Sequence, residues 1–333
     1  MILKEYVIGV DIGGTKCAVV IGNILNQNLS SEFIQDKEVF QTGDYDGPME
    51  VISQLCTVIR ELLNKHSITL DRVLGIGISC GGPLDSEKGI ILSPPNLIGW
   101  DEIRITDIFK DEFDLPCYLQ NDANACALAE WKFGAARGLK HVIYLTYGTG
   151  MGAGLIIDGK LYNGACAMAG EVGHVRLDDN GPVGFGKAGS FEGFCSGSGI
   201  AQIARTLAFE RLQMGQTVEY CKDISELNGI TTKDVAIAAK AGDELAQKVF
   251  EYSGKYLGKA LAMLIDIINP EMIVCGSVFG RAKELLWPEA EKVLEKEALA
   301  NSYRACRIVP SALGEYIGDY AAISVLLDRM ESD

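Results

Sequence analysis

A short apolar strand that runs into a glycine-rich turn and returns as a second apolar strand occurs twice in this chain, 135 residues apart. The first copy is Tyr6–Val10, then Asp11-Ile12-Gly13-Gly14-Thr15-Lys16, then Cys17–Ile21. The second is Val142–Leu145, then Thr146-Tyr147-Gly148-Thr149-Gly150-Met151-Gly152, then Ala153–Ile157. Apolar runs on either side of a glycine turn are the sequence signal of a β-hairpin. At that offset Val10-Asp11-Ile12-Gly13-Gly14 falls on Leu145-Thr146-Tyr147-Gly148-Thr149. The match predicts an internal structural repeat, two domains that each open with a hairpin of this kind.

Helical spacing fills the stretches between. Residues 48–63 carry apolar side chains at 51, 52, 55, 58, 59, 62 and 63, one face of a helix. Further helices are predicted at Asn124–Ala135, Gly199–Met214, Asp243–Ile268, 282–299 and 316–330, and a further strand at Val73–Ser79. Alternating strands and helices make the fold class α/β. A length of 333 residues suits two domains of about 150 residues each.

Charge narrows the partners. Lys and Arg number 30 against 45 Asp and Glu, a formal net charge of −15. Neither the nucleic-acid backbone nor an anionic membrane surface suits so acidic a chain, so neither is an expected partner. No apolar stretch escapes interruption: Lys259, Asp266 and Pro270 break the best one, and Lys4, Glu5 and Asp11 break any secretory core. The ten cysteines show no C-x-x-C spacing, and several lie in apolar runs. They read as small hydrophobes in a reducing compartment, and the expected location is cytoplasmic.

Exposed backbone N–H groups in a glycine turn can converge on an anion with no Cβ in the way. The four Gly-Lys pairs, at 159, 186, 254 and 258, are never followed by Ser or Thr, so none is a P-loop. Gly184, Gly186 and Gly189 match G-x-G-x-x-G, but follow a polar turn rather than a strand, which excludes the dinucleotide fingerprint. The remaining reading is a phosphate clamp made by the two hairpins. Asp11 at the mouth of the first would repel a phosphate unless a cation such as Mg²⁺ lay between them; it also reads as a turn residue bonding its own backbone.

Seven segments, in order, resemble the ROK family of sugar kinases within the actin-like ATPase superfamily. They are Ile8–Lys16; Ile78–Pro83 followed by Asn96-Leu97-Ile98-Gly99-Trp100; Asn121-Asp122-Ala123-Asn124; Tyr147–Gly152; Ala169-Gly170-Glu171-Val172-Gly173-His174; Asn269-Pro270-Glu271 leading to Gly276; and Leu313-Gly314-Glu315 to Ala322. The resemblance implies two domains of actin-like ATPase (ribonuclease H-like) type with a cleft between them. We expect one domain over 1–120 plus 312–333 and the other over 121–311. It implies ATP-dependent phosphorylation of a hexose or N-acetylhexosamine, with ATP and Mg²⁺ as cofactors and a homo-oligomer, commonly a dimer. Asp122 would be the catalytic base, though it also reads as the N-cap of the following helix. Gly82, Asn96, Asn121, Asp122, Glu171, His174 and Glu192 would meet the sugar. Asp11 (through water to Mg²⁺), Gly13, Gly14, Thr15, Lys16, Gly148, Thr149, Gly150, Gly276 and Ser277 would meet the nucleotide. Trp100 reads equally as a sugar platform or as a packed core side chain.

Two further expectations follow from the resemblance. Many members hold a structural zinc in a C-x-C-G-x-x-G-C-x-E stretch, and here the three cysteine positions are Val183, Phe185 and Ser190. A closed structural zinc site needs four ligands, so none is expected. Burial of Phe185 and Phe191, and a hydroxyl-capped helix starting near Ser196–Ser198, would hold that loop instead. The family also contains sugar-sensing regulators with an N-terminal helix-turn-helix. The first motif begins within ten residues of Met1, which predicts the kinase rather than the regulator.

Overall fold

Strand β1, Tyr6–Ile12, is buried on both faces, which is why its sequence is a nearly unbroken apolar run. It pairs antiparallel with β2, Lys16–Asn23, in a register that sets Asp11 opposite Ala18 and Ile12 opposite Cys17. The computed structural model describes residues 3–26 and 33–332. The chain divides into two units, Met1–Gly138 with Gly164–Ala167 and Glu315–Asp333, and Leu139–Asn163 with Met168–Gly314.

In the first unit β2 also pairs with β3, Ile34–Gln41. Helix α1, Pro48–Lys65, buries the stripe Val51, Ile52, Leu55, Val58, Ile59, Leu62 and Leu63 that the spacing predicts. Strand β4, Val73–Cys80, lies parallel to β1 on its other side. A small hairpin follows, β5 (Leu84–Asp85) with β6 (Ile90–Ile91), then α2, Ile105–Phe113. Strand β7, Cys117–Asn121, completes the sheet order β3-β2-β1-β4-β7, and α3, Asp122–Lys132, leaves its end.

The second unit repeats that plan. Strands β8 (Val142–Tyr147) and β9 (Met151–Ile157) form its hairpin, with β10 (Lys160–Leu161) at the edge. A minor hairpin, β11 (Val183–Gly184) with β12 (Lys187–Ala188), precedes helices α4 (Phe191–Cys195), α5 (Gly197–Gln213), α6 (Thr232–Lys240) and α7 (Glu244–Ile268). Strand β13 (Met272–Cys275), helices α8 (Ser277–Glu297) and α9 (Ala300–Ala305), and strand β14 (Arg307–Pro310) complete it. The sheet order is β10-β9-β8-β13-β14, with β8 antiparallel to β9 and parallel to β13. Strand for strand this is the first sheet again. Ile12 pairs with Cys17 and Tyr147 with Met151, so the first hairpin closes over four residues, 13–16, and the second over three, 148–150. The offset of 135 read from the sequence holds for the outgoing strands, Ile12 to Tyr147, and is one residue shorter for the return strands, Cys17 to Met151.

Helix α10, Ile317–Ser332, returns to the first unit and packs on β1 and β4. Two glycines let it in: a Cβ on Gly9 would meet Ile323 and Ala322, and one on Gly77 would sit 2.0 Å from the Ala322 carbonyl oxygen. Helix α10 also packs on α3, where Lys132 pairs with Glu331 at 2.7 Å. That packing corrects the expected boundary: the first unit runs on through α3 to Gly138 instead of ending at residue 120. Helix α3 itself starts two residues earlier than predicted. Trp100 is 2% exposed, so it belongs to the first unit's core rather than to a ligand face. Eight of the ten cysteines are buried, while Cys126 is half-buried and Cys166 exposed. Among the described residues no helix is long and apolar enough to cross a membrane.

Since backbone cannot yield as a side-chain tip does, Gly77→Ala is expected to destabilise the protein by about 3 kcal/mol, lowering Tm by ~6 °C or more. Gly43, with open space around its Cβ position, provides the control: Gly43→Ala should stay within ~0.5 kcal/mol of wild type in the same melts.

Candidate active site

The turn at the end of β1 is braced from the 3-10 turn Thr42–Asp44 that follows β3. The Thr42 hydroxyl donates to the Gly13 carbonyl at 2.6 Å and the Thr42 amide donates to the Thr15 carbonyl at 2.9 Å. Gly13 N–H is spent on the Lys16 carbonyl. The amides of Gly14 and Thr15 make no hydrogen bond among the described residues, and Gly14, Thr15 and Lys16 are exposed. Gly14 is glycine because the chain at Asn96 passes close by: a Cβ there would lie 2.2 Å from the Asn96 carbonyl oxygen. Buried Leu97 and Trp100 anchor that passing loop. Two residues expected at different ligands, Gly14 and Asn96, are thus neighbours in the first unit.

The second turn is built by other means to the same end. The Gly197 amide, at the start of α5, donates to the Gly148 carbonyl at 2.8 Å, and the Ser198 hydroxyl to the Thr149 carbonyl at 2.7 Å. The helix's otherwise unpaired first N–H groups are used to hold the turn's carbonyls back. The amides of Thr149 and Gly150 make no hydrogen bond among the described residues, as with Gly14 and Thr15 135 positions earlier. The Met151 amide donates to Glu192 Oε2 at 3.0 Å, so this turn is tied to a residue expected at the sugar. Gly276 packs against Tyr147 and Leu145 where α8 begins, and the Ser277 hydroxyl donates to the Tyr147 carbonyl at 3.1 Å.

Carboxylates gather in the first unit. Asp11, half-buried beside the Ser79 hydroxyl, is pushed up to about 6 by its burial and by the negative charges of Asp122 and Asp319. Asp319, in the first turn of α10, is 5% exposed and pairs with Lys37 of β3 at 2.5 Å. Gly318, next to it, has its Cβ position 3.4 Å from Asp11 Oδ2. Asp11 offers a hard oxygen donor of the kind Mg²⁺ takes, but among the described residues no group of three or more His, Cys, Asp or Glu is placed to hold a metal ion.

Asp122 is exposed at the first position of α3, and Asn121 is the N-cap: its side chain accepts from the Ala123 amide at 3.0 Å. Asp122 Oδ1 accepts from the same Ala123 amide at 2.8 Å, so Asp122 shares the helix start with the Asn121 cap. Buried Gln120 fixes this junction, its Oε1 accepting from the Asn121 amide at 2.8 Å and from Asn124 Nδ2 at 3.2 Å. The Cβ position of Gly82 lies 3.2 Å from Asn121 Nδ2, so Gly82 joins the same group. In the second unit Glu171 and His174 are exposed around the single 3-10 turn Val172–His174. Sequence reasoning missed Thr42, Ser79, Gln120 and Asp319. Asp319 lay inside a quoted segment but had no spacing to set it apart.

The loop expected to replace the zinc is held partly as foreseen. Phe191 is buried, Ser190 caps α4, and Ser196 caps α5. Phe185 is not buried: it is 77% exposed, with φ at +44° in the turn of the β11–β12 hairpin. The ring that fills the space is Phe194, stacked on Tyr256 at 3.5 Å. Cys195 is fully buried and His174 exposed, so the two do not form an off-pattern metal pair. The residues present do not fit the family's zinc.

Asp11 also carries a stability consequence. Its folded pKa of about 6 exceeds the ~3.9 of an unfolded Asp, so the folded state holds this proton more tightly and loses stability as pH rises through 6. Unliganded Asp11→Asn is expected to be more stable than wild type at pH 8 by about 1–2 kcal/mol, discounted for the solvent still reaching the carboxyl group. The gain should vanish at pH 4, as thermal melts at the two pH values will read.

The ROK family model matches residues 7–327. A glucokinase of Halalkalibacterium halodurans is 32% identical over 297 residues, 89% of this chain and 87% of that protein. The xylose repressor of Caldicellulosiruptor bescii is 28% identical over 332 residues, 98% of this chain and 79% of the repressor. Among solved structures, a ROK family glucokinase from Streptomyces griseus in complex with glucose and AMPPNP has a TM-score of 0.73 and 27% identity, covering 98% of this chain and 99% of its own.

Proposed function

The chain belongs to the ROK family, with the actin-like ATPase type of α/β fold, and on that premise we propose that it transfers the γ-phosphoryl group of ATP to a hydroxyl of a hexose or N-acetylhexosamine. The observation that carries the reading is the pair of equivalent turns whose unbonded amides, at Gly14 and Thr15 and at Thr149 and Gly150, suit phosphate oxygens. Glucokinases among the relatives, and a structure holding glucose and an ATP analogue, support it.

Phosphoryl transfer asks the protein mainly for positioning and charge stabilisation. The backbone amides of each turn would offer donors to phosphate oxygens, with Lys16 exposed beside the first turn. Asp122, exposed at the end of β7 and aimed by the Asn121 cap and Gln120, would accept the proton of the attacking hydroxyl. Asp11 would hold Mg²⁺ through water; when bound, that ion neutralises charge on the β- and γ-phosphates. Asn96, Asn121, Glu171, His174 and Glu192 offer amide and carboxylate partners for sugar hydroxyls. Glu192 also fixes the second turn through the Met151 amide, so sugar and nucleotide would share a residue.

A second reading, a sugar-responsive regulator without turnover, is favoured by the xylose repressor's likeness over 98% of this chain. ADP formation with Mg²⁺-ATP and a panel of hexoses separates the two. The kinase reading expects sugar-dependent ADP, with glucose among the substrates. Sugar binding without ADP from any hexose supports the regulator.

A further inference from the structure

We propose that Tyr256 on α7 and Gln202 on α5 are positioning residues for the sugar-facing segment Glu171–Glu192, holding it by side-chain hydrogen bonds rather than by a metal. The inference rests on the reading above, that Glu171, His174 and Glu192 meet the sugar.

Two chains of contacts run from these residues to that segment's functional ends. Gln202 grips β11 on both sides: its Oε1 accepts from the Val183 amide at 2.7 Å and its Nε2 donates to the Val183 carbonyl at 3.4 Å. β11 pairs with β12, and from β12 Lys187 Nζ donates to the His174 carbonyl at 2.8 Å. The second chain starts at Tyr256, whose hydroxyl donates to Asp178 Oδ2 at 2.8 Å. The Asp178 and Leu177 amides both donate to the Gly189 carbonyl. Ser190, next in sequence, caps the short helix that carries Glu192, and Glu192 takes the Met151 amide of the phosphate turn.

The Tyr256 ring adds a second hold. It stacks on Phe194, with the planes 2° apart, and Phe194 fills the space over Gly181, where a Cβ would lie 2.3 Å from the ring. Glycines at 181, 184, 186 and 189 leave the segment little stiffness of its own. His174 and Glu171 stand exposed at its beginning. Their placement therefore depends on where α5 and α7 hold the rest.

The test uses full-length protein and three variants. Tyr256→Phe removes one hydroxyl and keeps the stacked ring. Gln202→Leu removes both hydrogen bonds, and Gln202→Glu keeps the acceptor for Val183. Glucose affinity by calorimetry is expected to fall ~3–10-fold in Tyr256→Phe and Gln202→Leu, the worth of one exposed-edge hydrogen bond. Gln202→Glu should recover most of it. Turnover at saturating glucose and KM for ATP should stay within ~2-fold of wild type, a split that general destabilisation would not produce. Backbone hydrogen exchange of residues 177–189 should speed up in the first two variants, and dialysis against a zinc chelator should change neither exchange nor affinity. Unchanged glucose affinity in both variants overturns the inference, as does a segment loosened by chelation. If wild type binds no hexose, the functional reading fails instead, and exchange alone then decides the clamp: unchanged rates in both variants would refute it.

Discussion

Asp122→Asn is expected to lower kcat by ~10²–10⁴ while leaving sugar affinity within a few-fold of wild type. The substitution keeps the size and one acceptor oxygen of the side chain and removes its ability to take a proton. Asn121 caps α3, Gln120 holds Asn121 and Asn124, and the bond that Asp122 Oδ1 accepts from the Ala123 amide is one an Asn side-chain oxygen can also accept. A loss of turnover with intact binding is therefore a loss of base rather than of fold. Turnover within ~3-fold of wild type, well below a general base's usual worth, would mean that the proton leaves by another route and that Asp122 serves only the helix start.

Gly14→Ala is expected to cost activity through geometry alone. The new Cβ would lie 2.2 Å from the Asn96 carbonyl oxygen and 2.8 Å from the Asn96 Cβ. Neither neighbour is a flexible tip, so the phosphate turn and the Asn96 loop must move apart. Displacement of a positioned group by about 1 Å can cost ~10²-fold, and here two sites share the displacement. kcat/KM for ATP and for the sugar should fall together, by ~10–100-fold each, with Tm little changed because residues 14–16 and 96 are exposed. A variant that loses stability but keeps both constants would show that the close approach serves folding only.

How much of this was legible in the sequence depends on how local each feature is. The repeated hairpin was readable because a strand register and a glycine turn are fixed within a dozen residues; the offset relating Asp11 to Thr146 holds for the outgoing strands and is one residue shorter for their partners, Ala18 and Gly152. Helix α1 was readable from its apolar spacing, and its predicted stripe is the buried one. The boundary at Gly138 was not, because α3 joins the first unit through α10, nearly two hundred residues later in the chain. Loops carry no period to tell a buried ring from an exposed one. Phe185 was expected inside and stands 77% exposed at a left-handed turn position, while Phe194, which fills the space, went unmarked. Thr42 and Gln120 stand at no motif position, and Asp319, although inside the segment Leu313 to Ala322, acts through partners that only tertiary structure supplies, Lys37 and Asp11. Asp11 was found, but not the reason its carboxyl is so readily neutralised, which lies in its burial and in Asp122 and Asp319 around it.

Phosphorus NMR of the purified protein with Mg²⁺-ATP and glucose puts the central claim to its most direct test, since it distinguishes where the γ-phosphoryl group goes. The expected spectrum gains a sugar phosphate monoester resonance in step with ADP, with little inorganic phosphate, and the same mixture with Asp122→Asn gains almost none. ATP left intact at saturating glucose, or inorganic phosphate as the main product, would contradict it.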